Sequence, residues 1–494
     1  MDSDAFRKHG KEMVDMVADY WDSLRDRQPL PDVKPGFIWD LVPNSPPESP
    51  EEWSKILADV DPIVLQNNTN WHHPHFFAYF PTACSYPAIM GDILSGGISS
   101  IGFTWKSSPS MTELEMIMTD WLAKSIGLPE HFLNSHPGPG AGIIQSTASD
   151  ATFVAILSAR ARAVSSYKEN NLIKTPAPQP EDDSVVTFGN HDASIVSKLV
   201  AYCSDQGHSS VDKGIMLACV KMRKLKSIIG GPHKNYYVET ETLEAAIRED
   251  RAKGLIPFIY IATVGTTNTC AVEPIRALGP ICNRENIWLH VDAAYAGSFA
   301  LCPEYRYLVD GFEFVDSFNF NPHKAMQINF DCSPMWFKDA KEATTYFNVE
   351  AEYLRHEYQA VASDYRHLQI ALGRRFRSLK IWFVLRALGI EKIQESLRQR
   401  VKLAEKFSDF ISHDDNFEII VPTHLGLVCF RYKGDNAINE KLVNIINDDR
   451  RIHLVPAKIN GVFFLRLAIC STITNSKDIE FAYNVIKDLL PKVL

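Results

Sequence analysis

Ile287-Trp288-Leu289-His290-Val291-Asp292-Ala293-Ala294-Tyr295-Ala296-Gly297 is a nearly continuous apolar run that ends in an acid and a string of small residues. A short run of this kind, bounded by polar turns, fits a strand covered on both faces, as in a parallel α/β sheet. Phe258-Ile259-Tyr260-Ile261-Ala262 repeats the pattern. Helix signals alternate with such runs, so the middle of the chain reads as α/β with a mostly parallel sheet. In open sheets of this class, ligands bind at the carboxyl ends of the strands. Asp292 falls at such an end. An acid there can hold a proton on the nitrogen of a bound ring, or it can simply cap the next helix.

Three further stretches carry chemistry. Ser317-Phe318-Asn319-Phe320-Asn321-Pro322-His323-Lys324 sets a lysine among aromatic residues and beside a histidine. A lysine that attacks a carbonyl must first lose its proton, which a desolvated site favours; alone, a Lys after a His is also an ordinary surface residue. Gly138-Pro139-Gly140-Ala141-Gly142-Ile143-Ile144-Gln145-Ser146-Thr147-Ala148-Ser149-Asp150 is a glycine-rich turn with small hydroxyls ahead of a helix. Its backbone N–H groups could cradle an anion, although it also reads as an ordinary capped helix. It lacks the Gly-Lys-Ser/Thr of a Walker loop and is a poor dinucleotide fingerprint. Tyr202-Cys203-Ser204-Asp205-Gln206-Gly207-His208-Ser209-Ser210 brings in His208, which suits stacking on a flat ligand, proton transfer, or a structural role.

The domain organisation reads as an N-terminal helical arm over 1–85, a large domain over 86–380 and a small α+β domain over 381–494. The arm opens on a helical pattern (Phe6, Met13, Val14, Val17, Tyr20, Trp21) and continues through a Pro-rich connector over 29–50. It has few apolar residues off its helix faces and needs a surface to lie on. Ser110-Met111-Thr112-Glu113 has the capping-box pattern, with Leu114, Ile117, Met118, Trp121 and Leu122 forming one apolar face behind it. The stretch 175–183 is Pro-rich and acidic and predicts an exposed, mobile loop. The last domain opens on an amphipathic helix (Ile390, Ile393, Leu397, Val401, Ala404, Phe407, Ile411), followed by strand-like runs at 417–421, 427–432 and 462–469.

With 494 residues and 45% hydrophobic content, the chain can bury a large core. A formal charge of −9, with no Lys/Arg block, argues against nucleic acid or an anionic membrane as a partner. No stretch approaches the ~20 apolar residues of a membrane span. Nine scattered cysteines without a C-x-x-C pair, and an acidic N-terminus without an apolar signal core, predict reduced thiols and a cytoplasmic protein. His72-His73-Pro74-His75 is not expected to bind metal: the Pro breaks helical spacing and no Cys or acid stands nearby. Phe76, Phe77, Tyr79 and Phe80 suggest a pocket wall, and Arg374-Arg375-Phe376-Arg377 a helix face or interface.

Together and in this order, these stretches resemble the aromatic L-amino acid decarboxylases, a branch of the group II pyridoxal-phosphate decarboxylases. The resemblance covers nearly the whole chain, to Phe464-Leu465-Arg466-Leu467-Ala468. It rests on His75-Phe76-Phe77-Ala78-Tyr79-Phe80-Pro81, the 110–121 helix, 205–210, 291–297, Asn321-Pro322-His323-Lys324 and 373–379. It implies pyridoxal-phosphate fold type I (aspartate-aminotransferase-like) and pyridoxal 5'-phosphate as cofactor. Lys324 resembles the lysine that carries the cofactor, Asp292 the acid that keeps the pyridine nitrogen protonated, and His208 the histidine stacked on the ring. Thr147, Ala148, Ser149 and Asn321 resemble the phosphate cradle, and Thr267, Ala294 and His323 resemble further cofactor contacts. Trp71, Tyr79, Phe80, Pro81, Thr82 and Phe103 resemble the substrate pocket; Phe103 would come from a second subunit, which implies an obligate homodimer. Tyr353 resembles the catalytic tyrosine of a mobile loop, delivering a proton to Cα.

The implied reaction is decarboxylation of DOPA, 5-hydroxytryptophan, tryptophan or tyrosine to the arylalkylamine and CO2. The alternative is oxidative conversion to an aryl acetaldehyde with hydrogen peroxide; relatives of that kind typically carry Phe for the loop Tyr or Asn for the stacking His, and both Tyr353 and His208 are retained. Gly373 stands where relatives carry Gly or Ser, and by resemblance favours these substrates over histidine. The chain departs from the family pattern at Ala325 and Met326, where animal relatives usually have Trp and Leu, and at Pro139 and Ala141 in the glycine run. The stretch 356–365 is about two residues shorter than in animal relatives, and roughly fifteen Pro-rich residues are inserted before His208.

Overall fold

The computed structural model describes residues 1–171, 192–349, 351–358 and 363–494; the Pro-rich stretch 175–183 lies outside them. The chain forms two compact units, residues 82–399 and residues 1–81 with 400–494.

The unit 82–399 contains the strands β1 (Ala141–Gln145), β2 (Leu199–Ser204), β3 (Lys221–Leu225), β4 (Ile228–Gly230), β5 (Asn235–Tyr237), β6 (Ile256–Thr263), β7 (Trp288–Asp292), β8 (Ser317–Asn319) and β9 (Ser333–Phe337). Seven form one sheet in the order β1-β9-β8-β7-β6-β2-β3, and β4 with β5 makes a small hairpin. Neighbours from β3 to β8 are parallel, whereas β9 runs antiparallel to both β8 and β1. Two reversals cancel, so β1 points the same way as the parallel set. The mostly parallel sheet expected from the apolar runs is therefore present, and β2 and β7 are buried at every residue. The helix Ala148–Asn170 packs Val154, Ala155, Ile156 and Ala159 into one core with Ile259, Ile261 and Trp288.

β1 is an edge strand, and its outward backbone groups need partners away from the sheet. The Gly142 carbonyl accepts the Tyr365 hydroxyl at 3.1 Å, and the Ile144 N–H donates to Glu115 Oε1 at 2.7 Å. Glu115 is paired with Arg374, both fully buried, and Arg374 lies over the Tyr365 ring at 4.8 Å. Arg374 is thus neither on a helix face nor at the surface: the basic run precedes the helix Ser378–Ser412 and its first arginine is a core ion pair. The helix Pro109–Ile126 also differs from expectation. It begins with Pro109 behind Ser108, with no side-chain cap bond, so the capping box at 110–113 does not form; Pro is favoured there because its φ is preset and it lacks an N–H to satisfy. Met118 and Leu122 are buried, while Ile117 and Trp121 are 46% and 44% exposed.

The other unit carries β10 (Phe417–Ile419), β11 (Leu427–Tyr432), β12 (Val455–Ile459) and β13 (Val462–Ala468) in the antiparallel order β10-β11-β13-β12. The helices Asn436–Asp449 and Ser476–Leu489 bury Leu442, Ile446, Ile479 and Ile486 against Phe430, Leu465 and Leu467, giving the expected α+β arrangement. β12 had no sequence signal because Pro456 interrupts it, and it sits on the sheet edge, where a strand tolerates proline. Phe76 and Phe77 are fully buried, Phe77 within this core; they are core residues rather than a pocket wall. The Phe77 N–H bonds His453 O at 3.0 Å, and its carbonyl accepts the Ala468 N–H at 2.9 Å. His75 Nε2 lies 3.0 Å from Asp478, which Arg25 also pairs. The helix Ser3–Asp22 buries no residue. Among the described residues no helix is long and apolar enough to cross a membrane, and no cluster of three or more His, Cys, Asp or Glu could hold a metal.

Candidate active site on the sheet edge

Because β1, β2, β6, β7 and β8 all point one way, the segments that leave their carboxyl ends open along a single edge. These are 146–149 after β1, 205–208 after β2, 264–267 after β6, 293–294 after β7 and 320–324 after β8. Backbone bonds lock neighbouring turns together: Ala293 N–H to Asn319 O (3.0 Å), Asn321 N–H to Ala294 O (3.1 Å) and Val264 N–H to Asp292 O (2.9 Å).

Asp292, 4% exposed, accepts the Ala294 N–H at 3.0 Å. Burial pushes its carboxyl above the usual carboxylate range, opposed first by Lys324 and further by the Ala294 N–H, His208 and Asn319. Lys324 sits in the short helical turn Pro322–Ala325, its N–H on Asn321 O at 2.9 Å. His208 caps the helix Ser209–Leu217: its Nδ1 accepts the Ser210 N–H at 3.1 Å and lies 2.8 Å from the Ser210 hydroxyl. A ring nitrogen that accepts a backbone N–H carries no proton, so Nε2 carries it. Burial lowers the imidazole below its usual range, Asp292 raises it and Lys324 lowers it further; the ring is neutral at pH 7. His323, 5% exposed, is pushed down to about 4, chiefly by burial. Its Nδ1 accepts the Cys332 N–H at 2.9 Å and its carbonyl the Ala83 N–H at 2.5 Å, which anchors the Lys324 turn.

Thr147 caps the helix Ala148–Asn170 by accepting the Asp150 N–H at 3.2 Å, and the first-turn N–H groups of Ala148 and Ser149 have no intrahelical acceptor. Arg377, held by Asp331 at 2.8 Å, donates to Ser146 Oγ at 3.2 Å just before that turn. Asn321 is 3% exposed, and its Oδ1 is buried without a hydrogen-bond partner. Such a group costs ~1–3 kcal/mol unless something satisfies it. The residue set matches what pyridoxal phosphate requires: an acid for the ring nitrogen (Asp292), an amine for the aldehyde (Lys324), a flat neutral ring (His208), and N–H and amide groups for the phosphate (Ala148, Ser149, Asn321). Thr267 lies in the turn after β6.

Trp71 stacks on Tyr79 at 5.3 Å and tilts on Phe76 at 4.9 Å, and Arg466 lies over Phe80 at 5.2 Å; these residues and Pro81 belong to the other unit, while Thr82 opens the sheet unit. Phe103 is half-buried, and a Cβ on Gly373 would stand 3.7 Å from Ile101 Cγ2, so a side chain fits there. Tyr353, in the turn Glu352–Leu354, is 76% exposed and lines a 920 Å³ cleft with Tyr346, Phe347, Arg366 and His367 rather than with Lys324. Three residues that hold the edge gave no functional signal in the sequence: Glu115, Arg377 and Glu273. Glu273, in Val272-Glu273-Pro274-Ile275, looks like an ordinary acid before a helix.

The fold and this edge define a pyridoxal-phosphate enzyme of fold type I. Residues 35–433 match the pyridoxal-dependent decarboxylase conserved domain, and the chain belongs to that family. It is 48% identical over 483 residues to the aromatic-L-amino-acid decarboxylase of Drosophila simulans, covering 98% of this chain and 90% of that one. Among solved structures it resembles Oryza sativa TDC with PLP and tryptamine (TM-score 0.91, 32% identity, 100% and 99% coverage). It also resembles Rhodiola rosea 4-hydroxyphenylacetaldehyde synthase (TM-score 0.88, 31% identity, 100% and 99% coverage).

Proposed function

We propose that the protein is a carboxy-lyase that uses pyridoxal 5'-phosphate to convert aromatic L-amino acids to arylalkylamines and CO2. The observation that carries this reading is Asp292, buried at the end of β7 with Lys324 as the leading charge opposing its neutralisation, in a chain of the decarboxylase family. Bound pyridoxal phosphate supplies the electron sink for the pair released as CO2 leaves. Lys324 would be the amine that holds the cofactor's aldehyde. Asp292 keeps the proton on the pyridine nitrogen, and Ala294 N–H holds that carboxylate in place. His208 would offer the ring a flat neutral face, while Thr147, Ala148, Ser149 and Asn321 would hold the phosphate; Thr267 and His323 would complete the cofactor contacts. Trp71, Tyr79, Phe80, Pro81, Thr82 and Phe103 recognise the aromatic side chain, with Gly373 leaving room for it. Tyr353 delivers the proton that replaces CO2 at Cα.

The working form in this reading is a homodimer in the cytoplasm, with Phe103 crossing between subunits and the arm over 1–85 wrapping the partner. Tyr86, Met90, Ile93, Leu94 and Ile98 form one stripe along the helix Tyr86–Ile98, each 43–50% exposed, a row that a second copy would cover. Phe6 and Val14 on the arm are 66% and 49% exposed.

Purified protein with L-DOPA, 5-hydroxytryptophan, tryptophan, tyrosine and histidine in air tests the reading, with amine, aldehyde and peroxide quantified together. Amine with little peroxide is expected. Aldehyde with equimolar peroxide would replace it by the oxidative reaction, and preference for histidine would overturn the role of Gly373.

A further inference from the structure

The basic run Arg374-Arg375-Phe376-Arg377 has no part in the reaction above, and its arginines differ in their partners. Arg374 is neutralised by Glu115 in the core. Arg375 and Arg377 belong to a second cluster. Arg377 donates to Asp331 Oδ2 from Nε at 3.0 Å and from Nη2 at 2.8 Å. Arg375 pairs with Asp331 at 3.1 Å and with Asp92 at 3.4 Å. The Nζ of Lys380, a fully buried side chain, lies 3.5 Å from Asp92 and 3.9 Å from Asp331. Burial alone would push the Asp331 carboxyl up, but the Arg377 bond and the charges of Arg377 and Lys380 hold it below the usual carboxylate range. Arg375, Arg377 and Lys380 therefore share the two carboxylates of Asp92 and Asp331, which leaves one positive charge in excess.

The cluster meets the phosphate turn through Arg377. The Nη2 that holds Asp331 also donates to Ser146 Oγ at 3.2 Å, one residue before Thr147 caps the helix Ala148–Asn170. The groups assigned to the phosphate, Thr147, Ala148, Ser149 and Asn321, include no cation. Asp150 in the first turn of that helix adds a carboxylate, which accepts the Thr147 hydroxyl at 2.9 Å. We propose that Arg377 is a positioning residue for the cofactor's phosphate: it fixes Ser146 at the start of the turn and sets the cluster's excess positive charge beside it, so that the chain selects phosphorylated over unphosphorylated pyridoxal. The proposal rests on the assignment of the phosphate to Thr147, Ala148, Ser149 and Asn321.

The charge balance supports this. A phosphate monoester carries roughly −1.5 to −2 near neutral pH, whereas a helix N-terminus supplies only about half a positive charge. The turn's own groups therefore fall short of the charge they would hold, and Asp150 widens the gap. Arg377 and Asp331 are nearly buried, and charges in such sites are screened by salt much less than exposed ones. An arginine suits the position because its planar fork grips Asp331 and Ser146 together; a lysine would bring the charge without the fork. Removing Arg377 does not orphan Asp331, which keeps Arg375 and Lys380 as partners.

The test titrates full-length protein, stripped of cofactor, with pyridoxal 5'-phosphate and with pyridoxal, each followed by the circular dichroism it acquires on binding. Arg377→Met should raise the Kd for pyridoxal phosphate about tenfold or more and leave that for pyridoxal within about twofold. Arg377→Lys keeps the charge and should restore most of the preference. Arg375→Met removes a half-exposed cation of the cluster that pairs with Asp92 and Asp331 rather than with the turn; it should weaken pyridoxal phosphate by a smaller factor and again spare pyridoxal. Equal weakening of both ligands by Arg377→Met overturns the proposal, because an arginine that only props up the sheet edge would disturb both. Unchanged affinity for pyridoxal phosphate overturns it too, as does an Arg377→Lys no better than Arg377→Met. If Arg377→Met does not fold, an undiminished preference in Arg375→Met overturns it. Asn321→Ala separates the proposal from the assignment beneath it. If Asn321→Ala loses the preference for the phosphorylated form and Arg377→Met keeps it, the proposal fails and the assignment stands. If Arg377→Met alone loses it, the role of Arg377 stands and the assignment of Asn321 fails.

Discussion

At the scale of single residues, the site is an arrangement of proton affinities. Lys324 opposes the neutralisation of the buried Asp292 carboxyl, and burial keeps His208 neutral. Asp292→Asn removes the charge that holds a proton on the pyridine nitrogen. It should cut turnover by about a hundredfold or more and weaken cofactor binding in an absorbance titration; unchanged turnover would remove Asp292 from the mechanism. Tyr353→Phe deletes only a hydroxyl, 76% exposed in this structure, so stability should hold. The ratio of amine to peroxide should fall as Cα protonation slows; a constant ratio would mean that another group delivers the proton. Lys324, Asp292 and His208 were legible because rare residue types stand at strand ends in a specific order. Glu273 and Glu115 were not, because an acid's burial depends on what the rest of the chain stacks against it.

At the scale of elements, the phosphate turn is only as well placed as β1. That edge strand is held from outside the sheet by Glu115, Tyr365 and, behind them, Arg374. Arg374→Met would leave Glu115 buried without its counter-ion, which should cost ~3–5 kcal/mol in urea unfolding. Gly142→Ala would set a Cβ 2.7 Å from both Thr119 Cβ and Trp336 Nε1, and overpacking of this kind should cost ~1–3 kcal/mol. Losses well below these would mean that the strand is held by its ladder with β9 alone. The apolar runs foretold β6 and β7 because a strand buried on both faces is apolar along most of its length. The helix Pro109–Ile126 shows the converse: its start was set by Pro109 and its buried face by tertiary packing, neither of which periodicity could locate.

At the scale of the whole molecule, buried histidines set the acid limit. His73, His323 and His453 are held at about 4 and His290 at about 3, in each case chiefly by burial. Unfolded, each would bind a proton below its usual 6.5, so stability should be complete above that pH and fall as pH drops from about 6.5 towards 4. Each group contributes up to about 1.4 kcal/mol per pH unit. Denaturant midpoints at pH 7.5, 6 and 5 check this; a flat profile would contradict it. Light scattering should give twice the 55.7 kDa of one chain, and Leu94→Glu, on the exposed stripe, should yield monomers with a loss of activity. A monomeric wild type would defeat the dimer.

The sequence by itself determined the α/β class and the family, and it singled out the candidate site residues, because these are carried by local patterns: apolar runs, a lysine after Asn-Pro-His, an acid closing a strand. Only the tertiary structure decided that β1 is reversed twice and so shares its carboxyl edge with β7 and β8, that Phe76 and Phe77 are core, and that Arg374 is a buried counter-ion. Strand order, burial and the proton affinity of an acid arise from contacts between segments far apart in the chain, and no local pattern encodes them.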